Sequence, residues 1–473
     1  MTILPIDPVA NATPDALAAF LAQCRAAAAK NGRPKLVSIS LTVDALDPLA
    51  VLESIFESTE PHFYAERPGL ETAIAGAEVA AMHTGRGATR FAGAQRWIDA
   101  TLADTIAVGD VAAPFGGPHF FSAFSFSAEV ETGEPFPAAT VFVPRWQVAR
   151  AGPITTAVAN LLVTPDADLA PLAERVWRAH GKFSAFRFQE NGGEPARPSA
   201  LQFSRSETGD YRGAVAHALE RIAAGEFKKI VLARAQDLRA NQPLHPLEML
   251  NGLRQRFPDC YAFSFTQGRG PSFIGASPER LVRVSKNVLE TEALAGSVRR
   301  GATASEDAAL AAGLLASDKD QREHREVLDD IVTRLTPLGL KPEFPARPQV
   351  RRLANVQHLH TPIHAALPDN VRLLDVLAAL HPTPAVGGSP RDAAIARIRE
   401  LEKFPRGLYA GALGWLNARG GGEFFVGLRS ALVEGASARA YAGAGIVAGS
   451  TPEKEFAETE LKFKAMLDAL LAP

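Results

Sequence analysis

The chain has 473 residues, 47% hydrophobic and 22% charged, with a formal net charge of −2; this is ordinary globular composition, long enough for one large or two average domains. The near-balanced charge gives no electrostatic case for a nucleic-acid or anionic-membrane partner. Two cysteines, Cys24 and Cys260, are too few for a disulfide framework or a cysteine metal site, and no signal peptide or bilayer-length apolar run is evident, so a cytoplasmic protein is expected.

In chain order, residues 14–29 (PDALAAFLAQCRAAAA) predict an alanine-rich helix and Lys35–Val43 a β-strand. Further strands are expected at Thr72–Met82, Phe120–Phe126, Thr140–Val143 and Thr155–Val163, with helices at Ala94–Leu102 and Leu169–His180. This half carries no nucleotide fingerprint, zinc spacing or nucleophile elbow, and its His62, His83 and His119 read as incidental. Gln189–Ser199 (QENGGEPARPS) is polar and rich in Gly and Pro, a linker or exposed loop. The boundary is set at 204/205, dividing an N-terminal portion, 1–204, from a second portion, 205–473.

In the second portion Asp210–Ala224 predicts an amphipathic helix ended by Gly225, leading into a strand that opens Lys228-Lys229-Ile230-Val231. Tyr261–Phe265, Ser272–Gly275 and Val288–Ala293 continue the strands, and Ser305–Leu335 reads as one long helix. Val356–Ile363, Leu380–Pro390, Gly407–Trp415 and Phe424–Ser430 are strands or loops dense in Gly, Pro or His. The chain closes with a glycine-broken apolar run, Ala442-Gly443-Ala444-Gly445-Ile446-Val447, and then a helix opened by Ser450-Thr451-Pro452-Glu453. Phe456, Phe463, Leu467 and Leu470 form its apolar stripe.

Two acidic pairs carry the chemical signal. Glu455 and Glu458 stand at i and i+3 on the last helix, with Lys462 on the same face; Asp320 and Glu323 repeat that spacing within KDQREH (319–324). A solvated, salt-bridged face is the plainer reading of either helix alone. Taken together, four carboxylates without cysteines suit an oxygen-seeking ion such as Mg²⁺ better than zinc. Lys462 and Arg429 suit the remaining negative charge of an acidic ligand, arginine by a bidentate grip. Lys229, beside Lys228 at the head of an apolar strand, is a candidate base, and Glu279 between two strand-like runs a candidate general acid. His358 and His381 are possible donors to a ligand oxygen, although lone histidines in apolar segments are more often core.

In this order, KIVLAR (229–234), ASPERLV (276–282), LAGS (294–297), KDQREH (319–324), HLHTP (358–362), AGAGIV (442–447) and EKEFAETELK (453–462) resemble the chorismate-utilising enzymes. That family comprises the anthranilate, aminodeoxychorismate, salicylate and isochorismate synthases. The match covers about residues 205–473, and LHPTPAVGGSP (380–390) is similar to the isochorismate synthase version. Ala385 and Val386 stand where salicylate synthases and ammonia-using members carry a threonine and other residues. The resemblance implies an α+β fold of large antiparallel β-sheets flanked by helices, with residues 1–204 completing a shared body. It further implies Mg²⁺-dependent isomerisation of chorismate to isochorismate. Lys229 would activate water for attack at C2, Glu279 would protonate the departing C4 hydroxyl, and His358 would lie near that leaving group. Glu323 and Glu458 would be the main Mg²⁺ ligands, with Asp320 and Glu455 joining directly or through water. Arg429, Tyr409 and the backbone of Gly443, Ala444 and Gly445 would hold the enolpyruvyl tail, while Gly296, Ala385 and Lys462 line the pocket. No glutaminase subunit is expected and nothing demands a partner, so a monomer is expected. A salicylate synthase, which also expels pyruvate, and a non-catalytic chorismate binder remain the alternatives. The consuming pathway (siderophore, menaquinone or salicylate) is open.

Overall fold

Runs of β-branched and aromatic residues pair into sheet in the computed structural model, which describes residues 1–4, 13–55, 59–185, 202–353 and 356–471. The Gln189–Ser199 segment lies outside the described residues. The first portion contains β1 (Thr2–Leu4), α1 (Pro14–Asn31), β2 (Lys35–Val43), α2 (Pro48–Ile55), β3 (Pro61–Arg67) and β4 (Thr72–Gly85). It continues with α3 (Arg90–Ala103), β5 (Thr105–Gly109), β6 (His119–Phe124), β7 (Ala139–Ala151), β8 (Ile154–Val163) and α4 (Leu169–Ala185).

The second portion opens with β9 (Phe203–Thr208), α5 (Tyr211–Ala223), β10 (Lys229–Ala240), α6 (Pro246–Arg256), β11 (Tyr261–Gln267) and β12 (Ser272–Ser277). Then come β13 (Arg280–Ser285), β14 (Val288–Arg299), α7 (Ala304–Ala316), α8 (Asp318–Leu335), β15 (Gln349–Arg352) and β16 (Val356–Ala366). The chain ends with α9 (Leu373–Leu380), β17 (Gly388–Ser389), α10 (Arg391–Glu402), β18 (Ala412–Asn417), β19 (Gly422–Val426), β20 (Ser430–Glu434), β21 (Ser437–Val447) and α11 (Pro452–Leu471).

Among the described residues the strands form one continuous, predominantly antiparallel sheet system, an α+β architecture; β1 and β2 alone pair in parallel, both against β5. Strands from the two portions interleave: β3 pairs with β11, and β6 with β18. Buried aromatics seal these junctions. Phe63 lies edge-on to Trp415 at 6.5 Å between ring centres, and Phe124 lies 6.2 Å from Phe424. No helix of the described residues is long and apolar enough to cross a membrane.

One expectation is corrected and another refined. The single helix expected over Ser305–Leu335 is two, because Ser317 ends α7 and its hydroxyl accepts the Asp320 backbone N–H, starting α8 afresh. The Phe424–Ser430 run divides into β19 and β20, with Arg429 between them in the left-handed region at φ 46°. On α11, Phe463 and Leu467 are buried as the stripe requires, whereas Phe456 is sandwiched between the guanidinium groups of Arg212 and Arg234 at 3.5 and 3.7 Å. The Leu470 side chain lies outside the described residues.

Candidate active site

Strand β10 has β21 along one edge and the short β17 beside its start, so its first residue, Lys229, stands where three segments meet. The Lys229 side chain is 3% exposed, and its ammonium donates to Glu323 Oε1 at 2.7 Å. Further along the same pairing on β21, Gly445 and Gly443 stand opposite Val231 and Ala233, two residues apart and on the same face. A Cβ at Gly445 would lie 3.1 Å from Lys229 Cε, and one at Gly443 would lie 2.8 Å from the Tyr409 hydroxyl. Absence of side chains here opens the space that Lys229 and Tyr409 enter. Ala444 is buried and does not line that space, as strand alternation directs it to the other face.

That space is a cavity of about 170 Å³. Its walls include Lys229, Glu279, Gly296, Glu323 and His358 from one series of elements, and Ala385, Tyr409, Arg429, Glu458 and Lys462 from later ones. Gly296, at φ 75°, interrupts the register of β14 with β16. A Cβ there would come within 3.2 Å of Asp320 Cβ, so glycine lets the start of α8 close on the strand.

Glu279 follows β12 and makes no side-chain hydrogen bond or ion pair among the described residues, although its backbone is fixed by Ser277 Oγ and Val426 N. Burial, aided by the Glu292 carboxylate, raises its carboxyl to about 7 against the opposing charges of Lys229 and Lys462. A substantial share of it therefore keeps its proton near neutrality, which makes it a proton donor on the cavity wall. His358 Nδ1 lies 2.7 Å from Ser297 Oγ, while Nε2 has no partner. Burial and the charges of Arg429 and Lys462 push its pKa down to about 3, so the ring is neutral. His381 stands apart from the cavity lining, packed edge-on to Phe91 and Phe126.

Cationic groups occupy the other side. Lys462 bridges Glu458 Oε1 at 2.8 Å and the Gly443 carbonyl at 2.7 Å, joining α11 to the glycine strand. Arg429 makes no carboxylate contact among the described residues; its guanidinium contacts Cys260 Sγ at 3.9 Å, and burial lowers its pKa. A half-buried cation with no carboxylate partner among the described residues is arranged for an anionic ligand. Ala410, also on the wall, shares the left-handed conformation of Arg429, with φ 57°. Such strain persists where surrounding structure enforces it, commonly at functional sites.

The four acidic residues divide in two. Glu323 and Glu458 face the cavity, whereas Asp320 and Glu455 are absent from its lining. Asp320 Oδ2 accepts from Ser317 Oγ at 2.5 Å, a helix-start interaction. Glu455 is buried at the start of α11 and hydrogen-bonds Ser450, and its carboxyl is raised, first by burial. Glu323 is lowered overall: burial works upward, but the charge and hydrogen bond of Lys229, with Lys319 and Lys462, outweigh it. No group of three or more His, Cys, Asp or Glu among the described residues converges on a metal position. A magnesium ion needs only one or two protein carboxylates when substrate oxygens and water complete its shell. Glu323 and Glu458, each already presented to an ammonium, are donors of that kind.

Local sequence reading missed Arg406, Val231, Ser297 and Tyr441, all on the cavity wall. Val231 and Ser297 lie inside the quoted KIVLAR and LAGS runs without being singled out, and Arg406 left the trace of its i,i+4 spacing from Glu402. A family model described as chorismate binding enzyme matches residues 19–471. The chain is 37% identical over 447 residues to the salicylate biosynthesis isochorismate synthase of Pseudomonas aeruginosa, covering 93% of this chain and 91% of that protein. It is 33% identical to the isochorismate synthase MenF of Bacillus subtilis over 75% of each chain. Among solved structures, the menaquinone-specific isochorismate synthase MenF from Escherichia coli superposes with a TM-score of 0.78 at 29% identity, covering 95% of this chain and all of that one.

Proposed function

Since this chain belongs to the chorismate-binding enzyme family, we propose that it is a magnesium-dependent isochorismate synthase, an isomerase that moves the ring hydroxyl of chorismate from C4 to C2. The observation that supports this most is the meeting in one cavity of Lys229 and Glu279, whose carboxyl is raised to about 7, beside Arg429, which meets no carboxylate among the described residues. A base and an acid on one enclosed allylic substrate are what the hydroxyl exchange needs. Lys229, in its neutral amine form and no longer donating a proton to Glu323, takes a proton from the water that attacks C2, and Glu279 gives its proton to the hydroxyl leaving C4. One water enters and one leaves, and solvent resets both groups. Arg429 and Tyr409 hold the enolpyruvyl carboxylate, while neutral His358 donates or accepts one hydrogen bond near the leaving oxygen. Glu323 and Glu458 would hold Mg²⁺, with Asp320 and Glu455 behind them. A bound Mg²⁺ would supply positive charge to neutralise the ring carboxylate.

The test is incubation of purified protein with chorismate and Mg²⁺, with and without EDTA or ammonium, and separation of products by HPLC. Isochorismate alone, lost with EDTA and indifferent to ammonium, is the expected outcome. Salicylate with pyruvate would make the protein a salicylate synthase, and an aminated product would move it to the ammonia-using branch. Chorismate binding without turnover would leave a non-catalytic binder.

A further inference from the structure

At the cavity wall lies a buried ion pair that the proposed chemistry does not use, Arg406 lining the cavity and Glu402 standing behind it. Glu402 ends α10 and Arg406 follows it by four residues, with side chains 1% and 2% exposed. Arg406 donates Nε to Glu402 Oε2 at 2.9 Å and Nη2 to Oε1 at 2.5 Å. Its remaining donors leave the pair: Nη1 reaches the Val386 carbonyl at 2.8 Å and Nη2 the Val231 carbonyl at 2.7 Å. Glu402 Oε1 in turn accepts the Ala233 N–H at 2.7 Å, and the guanidinium lies 4.2 Å from the Phe126 ring centre.

These contacts continue a seam between two functional segments. The Lys228 N–H donates to the Ser389 carbonyl at 2.8 Å and the Val231 N–H to the Gly387 carbonyl at 2.9 Å. The loop carrying Ala385 and Val386 is thus stitched to the strand that carries Lys229. At Val386 the seam has no backbone donor left, and two carbonyls face one guanidinium. Only a planar fork with several fixed donors serves both carbonyls and the carboxylate together; a lysine ammonium does not have that geometry.

Resting on the isomerisation proposed above, we infer that Arg406, held by Glu402, is a positioning residue that fixes the Ala385–Val386 wall relative to Lys229. It acts through its neighbours, setting where the ring and the attacking water stand rather than how tightly the carboxylates are held. A displacement of about an ångström at a reacting centre costs up to roughly 100-fold in rate. Loss of Arg406 therefore falls on kcat, while Arg429 and Lys462 preserve the KM for chorismate.

The experiment compares wild type, Arg406→Lys, Arg406→Ala and Glu402→Gln, with Tm and Mg²⁺ dependence measured in parallel. Arg406→Lys is expected to lose about 10- to 100-fold in kcat with KM within about threefold. For Arg406→Ala, added ethylguanidinium should restore kcat saturably while ethylammonium does not. Arg406 also lines an outer cleft of about 560 Å³, the side from which the small cation is offered to the space left by the truncated side chain. Should Arg406→Ala not fold, Glu402→Gln decides, since it keeps the shape and one acceptor and should lower kcat alone by a smaller factor. Folded variants with wild-type kcat, a change confined to KM, or a loss that ethylguanidinium does not reverse would overturn the inference. Failure of the wild type to make isochorismate would instead overturn the functional reading.

Discussion

Replacing Glu279 by glutamine should make the protein inactive and, above neutral pH, more stable. Raising a carboxyl from 4.5 to about 7 corresponds to roughly 3 kcal/mol at 1.36 kcal/mol per pH unit. The folded protein holds this proton more tightly than the unfolded chain, so stability declines as pH rises from 4.5 to about 7, with the full loss present above that window. Glutamine carries no such penalty. Its advantage should be under about 1 kcal/mol at pH 5 and about 2–3 kcal/mol at pH 8, since the carboxyl opens on a cavity that water enters. For 473 residues the unfolding entropy is roughly 1 kcal/mol/K, so the expected gain in Tm at pH 8 is about 2–3 °C. Paired melts of wild type and Glu279→Gln at pH 5 and 8, without substrate, measure it. The wild-type kcat/KM should fall above about pH 7 as the acid loses its proton. An equal Tm difference at both pH values would refute the burial reasoning, and retained turnover would refute the acid assignment.

Lys229→Ala should lower kcat by about 100- to 10,000-fold, measured as isochorismate formed at saturating chorismate; near wild-type turnover would remove it as the base. Glu458→Gln should raise the Mg²⁺ concentration for half-maximal activity by at least about tenfold, and an unchanged metal titration would end its assignment as a ligand. Gly445→Ala brings a methyl to 3.1 Å from Lys229 Cε, so kcat should fall by more than about tenfold with Tm little changed. A fully active Gly445→Ala enzyme would show that Lys229 does not need that space.

The cavity wall was legible because motif residues sit at strand starts and along helix faces, where periodicity fixes direction. Lys229, Gly443 and Gly445 follow from alternation on β10 and β21, and the same alternation turns the Ala444 side chain away from the cavity while leaving its backbone beside the two glycines. Asp320 and Glu455 share the helical spacing of Glu323 and Glu458, but both stand in first turns beside Ser317 and Ser450, where hydroxyl groups compete for a carboxylate. Spacing gives a face; it does not give the outcome of that competition. Arg406 was missed because its partners, Val231 and Val386, are remote in sequence and offer only backbone carbonyls. In the first portion, β3 and β5 escaped notice although both are largely buried strands. Short runs of that kind carry little periodic signal.

The pairing of β3 with β11 and of β6 with β18 joins segments about 200 and 300 residues apart, and this bears on how the chain reaches its folded state. Loop-closure entropy must be met before those contacts give any return, so high contact order and slow folding are built into the topology. Until residue 412 has been synthesised, β6 has no β18 to cover one of its edges, and a nascent chain carries unpaired strand edges that invite aggregation. A fragment beginning at residue 205 would inherit the same liability at β11 and β18. Expression at lower temperature, with the whole chain, is the condition under which this sheet has time to close.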